Sequence, residues 1–477
     1  MAKNITSPET DFARWYQDVI REAELADSAP VRGCMVIRPY GYAIWELMQR
    51  DLDGRFKATG HTNAYFPLFI PQSFIQKEAQ HVEGFSPELA VVTHAGGKQL
   101  EEPLVVRPTS ETIINHMFSK WIGSYRDLPM LLNQWANVVR WELRPRAFLR
   151  TTEFLWQEGH TAHATEQEAR EETMRMLGVY SDFMREMAAV PVIPGVKTEK
   201  ERFAGAVDTY TIEAMMGNGW ALQGGTSHYL GTNFARVFET TFLDRDNQRQ
   251  FVHQSSWGVS TRLVGALIMA HGDANGLRLP PRLAPVQVVI IPIGMQDPRA
   301  SQVMEASEAM AKELLSMGVR ASVDSRDNMS PGFKFNHWEV RGVPLRIEIG
   351  PRDLDAGHAT LAQRNRKEKF TLPLAELTGK IPALLNGIHD QMLKEATDFR
   401  EGRTFDVDTF DEFKRLIPEK PGFYRVWWDG SREDENRIQE ETSATVRCIP
   451  LEQPGGEGEC FMTGRKTSTR AILARAY

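Results

Sequence analysis

Apolar positions recur along the chain with two different periods, and the change from one to the other organises it. Phe12, Trp15, Tyr16, Val19, Ile20 and Ala23 fall on one helix face, with Ser7-Pro8 ahead of them as a cap and first turn. Residues 40–57 predict a second helix, followed by the proline-punctuated run Asn63-Ala64-Tyr65-Phe66-Pro67-Leu68-Phe69-Ile70-Pro71. A third helix is predicted from about Thr109-Ser110-Glu111 to Trp121. Strand-like segments then dominate. Residues 131–143 and 154–164 flank a connector, 144–152, that carries Arg144, Arg146 and Arg150, and strands joined by so short a link pair antiparallel most readily. Trp220-Ala221-Leu222-Gln223 reads as a strand entering a turn at Gly224-Gly225. Residues 259–271 read as a strand turning into a buried helix, with small residues at Gly265, Ala266 and Ala270.

The proline cluster Leu279-Pro280-Pro281-Arg282-Leu283-Ala284-Pro285 marks a domain boundary. Beyond it come an apolar strand (286–293), a helix (301–317), a strand (319–324), a short helix (333–341) and a strand (345–349). This alternation predicts a parallel α/β sheet with right-handed crossovers. The residues from 401 to 477 form a third, more polar segment.

Composition narrows the choice of function. With 477 residues, 42% hydrophobic and 25% charged, the chain is expected to be a soluble protein of several domains of roughly 100–200 residues each. A net charge of −7 excludes a basic shell as the main device for holding nucleic acid, though not a local patch. Cys34, Cys448 and Cys460 lie far apart without a CxxC, against a disulfide framework or a four-thiolate zinc site, and in keeping with a reducing compartment. The start MAKNITSPET lacks a charged region followed by an apolar run, and no stretch reaches ~18 apolar residues, so a cytoplasmic location away from membranes is expected. GxxxxGK[ST], strand-borne GxGxxG, HExxH and GxSxG are all absent. His160 and His163 form an HxxH, but strand alternation points them to opposite faces, so no metal site is expected there.

Four pieces carry chemistry. Arg140 and Glu142 are expected to share one face of their strand, and Phe154, Trp156, Glu158 and His160 one face of the next. A sheet floor bearing Arg, Glu, aromatics and His, with Arg150 at a loop rim, suits a nucleoside triphosphate: guanidinium forks grip phosphate and an aromatic stacks on a base. An amphipathic strand pair with a solvated loop explains the same pattern without function. Gln223-Gly224-Gly225-Thr226-Ser227-His228 offers close backbone approach beside polar groups, or simply a glycine turn. Trp257-Gly258-Val259-Ser260-Thr261-Arg262 opens an apolar helix with an arginine, costly unless paired with a carboxylate or phosphate. Arg107-Pro108-Thr109-Ser110-Glu111, taken alone, reads first as a helix cap with an acidic first turn, which explains Thr or Ser and Glu without function.

Taken together these residues resemble a class II aminoacyl-tRNA synthetase, and more closely prolyl-tRNA synthetase of the type shared by archaea, eukaryotes and some bacteria. Pro39-Tyr40-Gly41 through Pro71 is similar to the class's first motif, Arg140-x-Glu142 with its loop and Phe154 to the second, and Gly258-x-Ser260-x-Arg262 to the third. Pro108-Thr109-Ser110-Glu111, Trp156-Gln157-Glu158-Gly159-His160, Gly225-Thr226-Ser227-His228 and Glu83-Gly84-Phe85-Ser86-Pro87-Glu88 resemble the prolyl-specific blocks. Gly332-Phe333-Lys334-Phe335, Gly342-Val343-Pro344-Leu345-Arg346 and the terminal Ala476-Tyr477 extend the resemblance over nearly the whole chain.

The resemblance implies an α+β catalytic domain on an antiparallel sheet (1–280), an α/β anticodon-binding domain (283–400) and a small α+β C-terminal extension (401–477). It implies ATP-dependent activation of L-proline and its transfer to tRNA(Pro) by a homodimeric ligase of protein biosynthesis. Arg140 and Arg262 would be the catalytic cations, Arg140 on the α-phosphate and Arg262 with Arg150 on the outer phosphates. Thr109 and Glu111 would take proline's ammonium, with Trp156, Glu158, His160 and His228 completing that pocket. Phe154 would stack on adenine, and Glu142, Thr151, Gln223, Thr226 and Ser260 would complete the ATP site. Mg²⁺ is expected with the nucleotide; neither DNA nor a membrane is an expected partner. Arg346, Glu348 and Arg352, on or just beyond a strand's polar face, are candidates for reading the anticodon.

Two departures from the family pattern matter. Where a C-terminal zinc site of four cysteines is common, this chain has Cys460-Phe461-Met462-Thr463, and Asp429 and Asp434 near the other pair; no structural zinc is expected, and Trp427, Trp428 and Phe461 must hold the segment by burial. The roughly 120 residues between Arg140 and Arg262 leave no room for a large editing insertion, and a pocket separates near-isosteres by only ~1–3 kcal/mol per methylene, so some activation of Ala or Cys, uncorrected in cis, is expected. Two rivals remain: a tRNA-binding paralogue without catalysis, disfavoured by Arg140, Glu142, Arg262, Thr109 and Glu111 occurring together, and a ligase for a non-tRNA acceptor, disfavoured by the domain after Pro285.

Overall fold

A computed structural model describes residues 4–81 and 89–477; the segment Glu83 to Glu88 lies outside the described residues. The first helix, α1 (Phe12–Glu22), is capped by Asp11, whose carboxylate accepts from the Arg14 amide at 2.9 Å. Ser7 is not the cap, because its carbonyl closes the preceding turn by accepting from the amides of Thr10 and Asp11. Helix α2 (Pro39–Ala58) starts with proline at its first position, where no amide is needed. The apolar run that follows divides between two sheets. Its start, β1 (Thr62–Asn63), joins the main sheet, whereas Phe69–Pro71 joins a separate one with Ala90–Ala95 and Lys98–Val106. Helix α3 is Glu111–Trp121.

Strands β2 (Met130–Val139) and β3 (Glu153–His163) pair antiparallel, with Val138 opposite Phe154 and Gln134 opposite Glu158. The strand was expected to run to Leu143, but it ends at Val139, so Arg140 and Glu142 do not share a strand face. The Arg140 amide still reaches the Thr152 carbonyl, but the Thr152 amide is drawn off to the Gly33 carbonyl at 2.8 Å, and the pairing stops. Helix α4 (Glu166–Glu186) backs the sheet and carries Met176, Tyr180 and Phe183 into its core.

Next come β4 (Val192–Val196), β5 (Asp208–Met215), β6 (Ala221–Gly231) and β7 (His253–Ser260), leading into helix α5 (Arg262–His271). Gly224-Gly225 is not a turn. Strand β6 runs straight through it; Gly225 faces Ile212 and Gln223 faces Glu213, leaving Gly224 as a bulge. A Cβ at Gly225 would lie 2.8 Å from Val259 Cγ1 and 3.2 Å from Tyr180, so the glycine serves close packing within a central strand. The expected small residue at Gly265 has the same cause: a Cβ there would meet Leu149 at 2.6 Å. Leu277, Leu279, Leu283 and Ala284, around the proline cluster, still belong to this first core.

The second unit holds β8 (Val288–Pro292), α6 (Ala300–Ser316), β9 (Ala321–Val323), α7 (Pro331–Val340), β10 (Leu345–Ile349), β11 (His358–Gln363) and β12 (Lys369–Pro373). Strand β8 is parallel to β9 and β10, as predicted. The sheet is nevertheless mixed, because β11 and β12 add an antiparallel hairpin beside β10. Helix α8 (Leu374–Gly402) leads to the third unit: β13 (Thr404–Asp406), β14 (Phe423–Trp427), α9 (Arg432–Thr442), β15 (Thr445–Pro450) and β16 (Arg470–Ala474). These strands form no sheet of their own. Strand β15 pairs with β4, giving one sheet in the order β13-β14-β16-β15-β4-β5-β6-β7-β3-β2-β1. Trp428 and Phe461 are buried with Phe413 and Tyr424 in the third core, while Trp427 lies only half-buried beneath Arg470.

Candidate active site

Strand alternation puts one face of three central strands around a cavity of about 270 Å³. Phe154, Trp156, Glu158 and His160 come from β3, Gln223, Thr226 and His228 from β6, and Ser260 from β7. Thr109 and Glu111 enter from the start of α3, Arg140 from the end of β2, and Arg262 from the first position of α5. Glu142, Arg150 and Thr151 are not part of this lining. Glu142 accepts from the Arg144 amide at 2.8 Å and faces Arg150 at 3.6 Å, and Thr151 donates to the Glu153 carbonyl at 2.7 Å, all within the loop.

Glu201, Phe203, Thr209 and Ser256 also line the cavity and were missed from the sequence. Counting back by twos from Ser260 finds Ser256. Thr209 faces His228 across β5 and β6, a pairing no local pattern reveals. Glu201 and Phe203 sit in and just after a single helical turn, Glu199–Glu201, with no periodicity to betray them.

Buried carboxylates organise one end of the cavity. Glu158 accepts from the Ser110 amide at 3.2 Å, from the Ser110 hydroxyl, from Gln134 Nε2 at 2.9 Å and from His160 Nε2 at 2.8 Å. Burial alone would raise its pKa, yet these donors hold it below the ordinary carboxylate value. Burial likewise pushes His160 down, but Glu158 and Glu111 more than offset it, and its pKa lies above the usual value. Thr109 donates to Glu111. Ser110 therefore does not cap α3; both hydroxyls of the Thr-Ser pair serve the buried carboxylates instead. His228 lies 4.6 Å from the Phe203 ring with Nδ1 3.0 Å from Thr209, and burial and the nearby His160 push it down to about 3, leaving it neutral.

Cations dominate the other end. Arg140 donates through Nε to the Pro108 carbonyl at 2.9 Å and stands over Phe154 and Trp156, 5.6 and 5.3 Å from the ring centres. Arg262 donates through Nε to the Leu149 carbonyl at 3.3 Å. Burial and the repulsion of Arg150, Arg140 and Arg447 pull its pKa down to about 10. Among the described residues neither guanidinium forms an ion pair, although carboxylates stand nearby. The Trp156 indole N–H and the Ser256 hydroxyl are buried at this cavity without partners. Two unpaired forks and two orphaned polar groups suit an anionic, hydrogen-bonding ligand.

Other predicted residues sit elsewhere. His163 turns to Thr161, 2.8 Å away, on the sheet face opposite His160. Cys460 Sγ accepts from the Asp429 amide at 3.2 Å, Asp429 pairs with Arg465 at 2.6 Å, and Asp434 caps α9 through Ser431, so all three are engaged locally. Arg346 and Glu348 bond each other at 3.0 Å on β10, with Phe335 4.2 Å from Arg346; Arg346 lines a second cavity of about 480 Å³ with Lys369 and Arg364, and Arg352 does not. Tyr477 accepts from Asn218 at 2.8 Å and lies beside Arg146, which belongs to the loop between β2 and β3. No helix among the described residues is long and apolar enough to cross a membrane.

Comparisons with known proteins cover each unit. The family model of the tRNA synthetase class II core domain (G, H, P, S and T) matches residues 93–271, that of the anticodon binding domain matches 287–384, and that of the prolyl-tRNA synthetase C-terminal region matches 410–477. A proline–tRNA ligase of Roseiflexus sp. (strain RS-1) is 56% identical over 480 residues, covering 100% of this chain and 99% of its own. One from Chloroflexus aggregans is 59% identical over 478 residues, covering 99% of each. The crystal structure of a prolyl-tRNA synthetase from Cryptosporidium parvum, complexed with halofuginone and AMPPNP, superposes with a TM-score of 0.94 at 40% identity, covering 99% of both chains.

Proposed function

The chain belongs to the proline–tRNA ligase family, and from that premise we infer that it activates L-proline with ATP to prolyl-adenylate and transfers the prolyl group to tRNA(Pro). The observation that carries this reading is the division of one cavity: neutral His228 and the saturated Glu158–His160 pair at one end, and unpaired Arg140 and Arg262 at the other.

Proline's secondary ammonium has two hydrogens to donate, and Glu111 with the Thr109 oxygen accepts them. The neutral His228 and the Trp156 face enclose the ring. Proline's carboxylate attacks the α-phosphorus in line and pyrophosphate leaves. Arg140 bridges carboxylate and α-phosphate, and neutralises the charge that builds between them. Arg262 takes the outer phosphates, with Arg150 reaching in from the loop, and Phe154 stacks on the adenine. Gln223, Thr226 and Ser260 hydrogen-bond the nucleotide, and Glu142 and Thr151 shape the loop around it.

Mg²⁺ accompanies the nucleotide in this reading. Glu158 is saturated and Glu111 is engaged by Thr109, so the donor set fits an ion carried in by the phosphates, not one caged by protein. Bound there, it would neutralise charge on the departing pyrophosphate.

We further propose a homodimer, since Tyr65 and Phe69 in the run after α2 stand 74% and 45% exposed, the kind of apolar surface a partner covers. A cytoplasmic location follows from the substrates. Arg346 and Glu348 are proposed to read anticodon bases, with Phe335 as a stacking surface; Arg352 would contribute charge only. The test is ATP-dependent charging of a tRNA(Pro) transcript with labelled proline. The reading expects charging that falls when the anticodon is altered; folded protein that charges nothing overturns it.

A further inference from the structure

The face of the sheet that floors the cavity does not stop at its edge. Glu213 on β5 stands opposite Gln223, a cavity residue on β6, and directly paired residues share a face. Its carboxylate is completely buried and accepts from Lys197 at 2.9 Å and from Thr211 at 3.0 Å. The third donor comes from the C-terminal unit. Arg447 reaches Glu213 at 3.1 Å through both Nε and a terminal nitrogen, and Lys197 also donates to the Arg447 carbonyl at 2.7 Å. Arg447 points there because of a bulge: on β15, Val446 pairs with Leu473 and Cys448 with Ile472, leaving Arg447 between them unpaired with β16 and aimed across the seam. Its side chain is 9% exposed.

A carboxylate at this position has another natural partner. Gln223, which Glu213 faces across the strands, lines the same cavity as Arg262, and at that range Glu213 attracts Arg262 while Arg447 repels it. We propose that Arg447 is a positioning residue of the nucleotide site: by saturating Glu213 it keeps Arg262 free of a carboxylate and available to the outer phosphates of ATP. The C-terminal unit thereby completes the active site from behind, without touching substrate. This rests on the reading of Arg262 as a phosphate ligand.

The test is the ATP dependence of proline-dependent ATP–pyrophosphate exchange by the full-length protein. In R447M, Lys197 and Thr211 still hold Glu213 Oε1, but Oε2, which Arg447 engages, is released towards Arg262, and KM for ATP is expected to rise about tenfold while KM for proline stays within about twofold. R447K, which keeps the charge, should remain near wild type. In E213Q/R447M no carboxylate is left to compete, and KM for ATP should return to within about threefold of wild type. An unchanged KM for ATP in R447M, or a double variant as impaired as the single one, overturns the proposal. Should R447M fail to fold, E213Q alone decides: a KM for ATP no higher than wild type supports it, and a rise overturns it. R262A separates the two levels of the argument. If its ATP dependence is normal, the nucleotide-site reading falls and this inference with it; if R262A is impaired and R447M is not, only this inference falls.

Discussion

Truncating Arg140 to alanine tests the chemistry most sharply, because the structure isolates what the residue does. Its Nε bonds the Pro108 carbonyl, its plane lies over Phe154 and Trp156, and among the described residues its terminal nitrogens have no acceptor. The fork is thus held in place but unspent. Losing one preorganised donor to a developing charge costs about 3 kcal/mol, roughly a hundredfold in rate. The lost cation–π contacts, ~0.5–1 kcal/mol where the cation is exposed, fall on the folded state and should move the melting temperature by only a few degrees. Proline-dependent ATP–pyrophosphate exchange by Arg140→Ala should therefore drop about a hundredfold in protein that melts almost normally. Arg140→Lys should recover only part, since a point charge cannot bridge carboxylate and phosphate as a fork does. Exchange within about tenfold of wild type in the alanine variant would refute the role.

Three further outcomes follow from the packing and the buried histidines. Gly225→Val should destabilise by about 1–3 kcal/mol and impair exchange, because its side chain would collide with Val259 and Tyr180; a normal melt would contradict the account of β6. Phe461→Ala should cost about 3–5 kcal/mol through its contacts with Phe410, Phe413 and Trp428, while a chelator should leave wild-type melting unchanged; a normal melt of the variant would contradict the first, and stoichiometric zinc in purified protein the second. Burial first of all depresses His228 to about 3 and His163, His271 and His389 to about 4, below the ~6.5 of an unfolded histidine. The unfolded chain then binds more protons between those values, so stability is full above about pH 6.5 and is lost as pH falls towards 4, at about 1.4 kcal/mol per pH unit for each histidine. His160, raised above its usual value, contributes fully below about pH 6.5 and loses that contribution only as pH rises through its folded-state value, so it leaves the loss towards pH 4 unchanged. Melting that is flat or rising from pH 7 to 5 would contradict the assignment.

Local pattern carried the reading wherever the relevant interaction was itself local. The alternation Phe154-Trp156-Glu158-His160 needs only the geometry of one strand, and it delivered four cavity residues on one face. Arg262 at the head of an apolar helix stands out by its cost in that setting. Failures came where a distant backbone decided. Gly33, more than a hundred residues away, ends the pairing of β2 and β3. Val259 and Tyr180 turn an apparent glycine turn into a packed strand. In the pattern of residues the C-terminal unit shows only as a polar segment, its α+β character following from the family resemblance, and its fusion with the first sheet depends on β15 meeting β4 across some 250 residues, which no periodicity announces. Glu201 and Phe203 belong to the same class, as walls supplied by a short turn that packs against α9.

The central claim, that this cavity joins proline to AMP, is met most directly by ATP–pyrophosphate exchange measured with each of the twenty amino acids and no tRNA. The account predicts a strong signal with proline and weak ones with alanine and cysteine. Silence across the set, from folded protein that still binds tRNA(Pro), would contradict it and leave a binding protein on a synthetase fold.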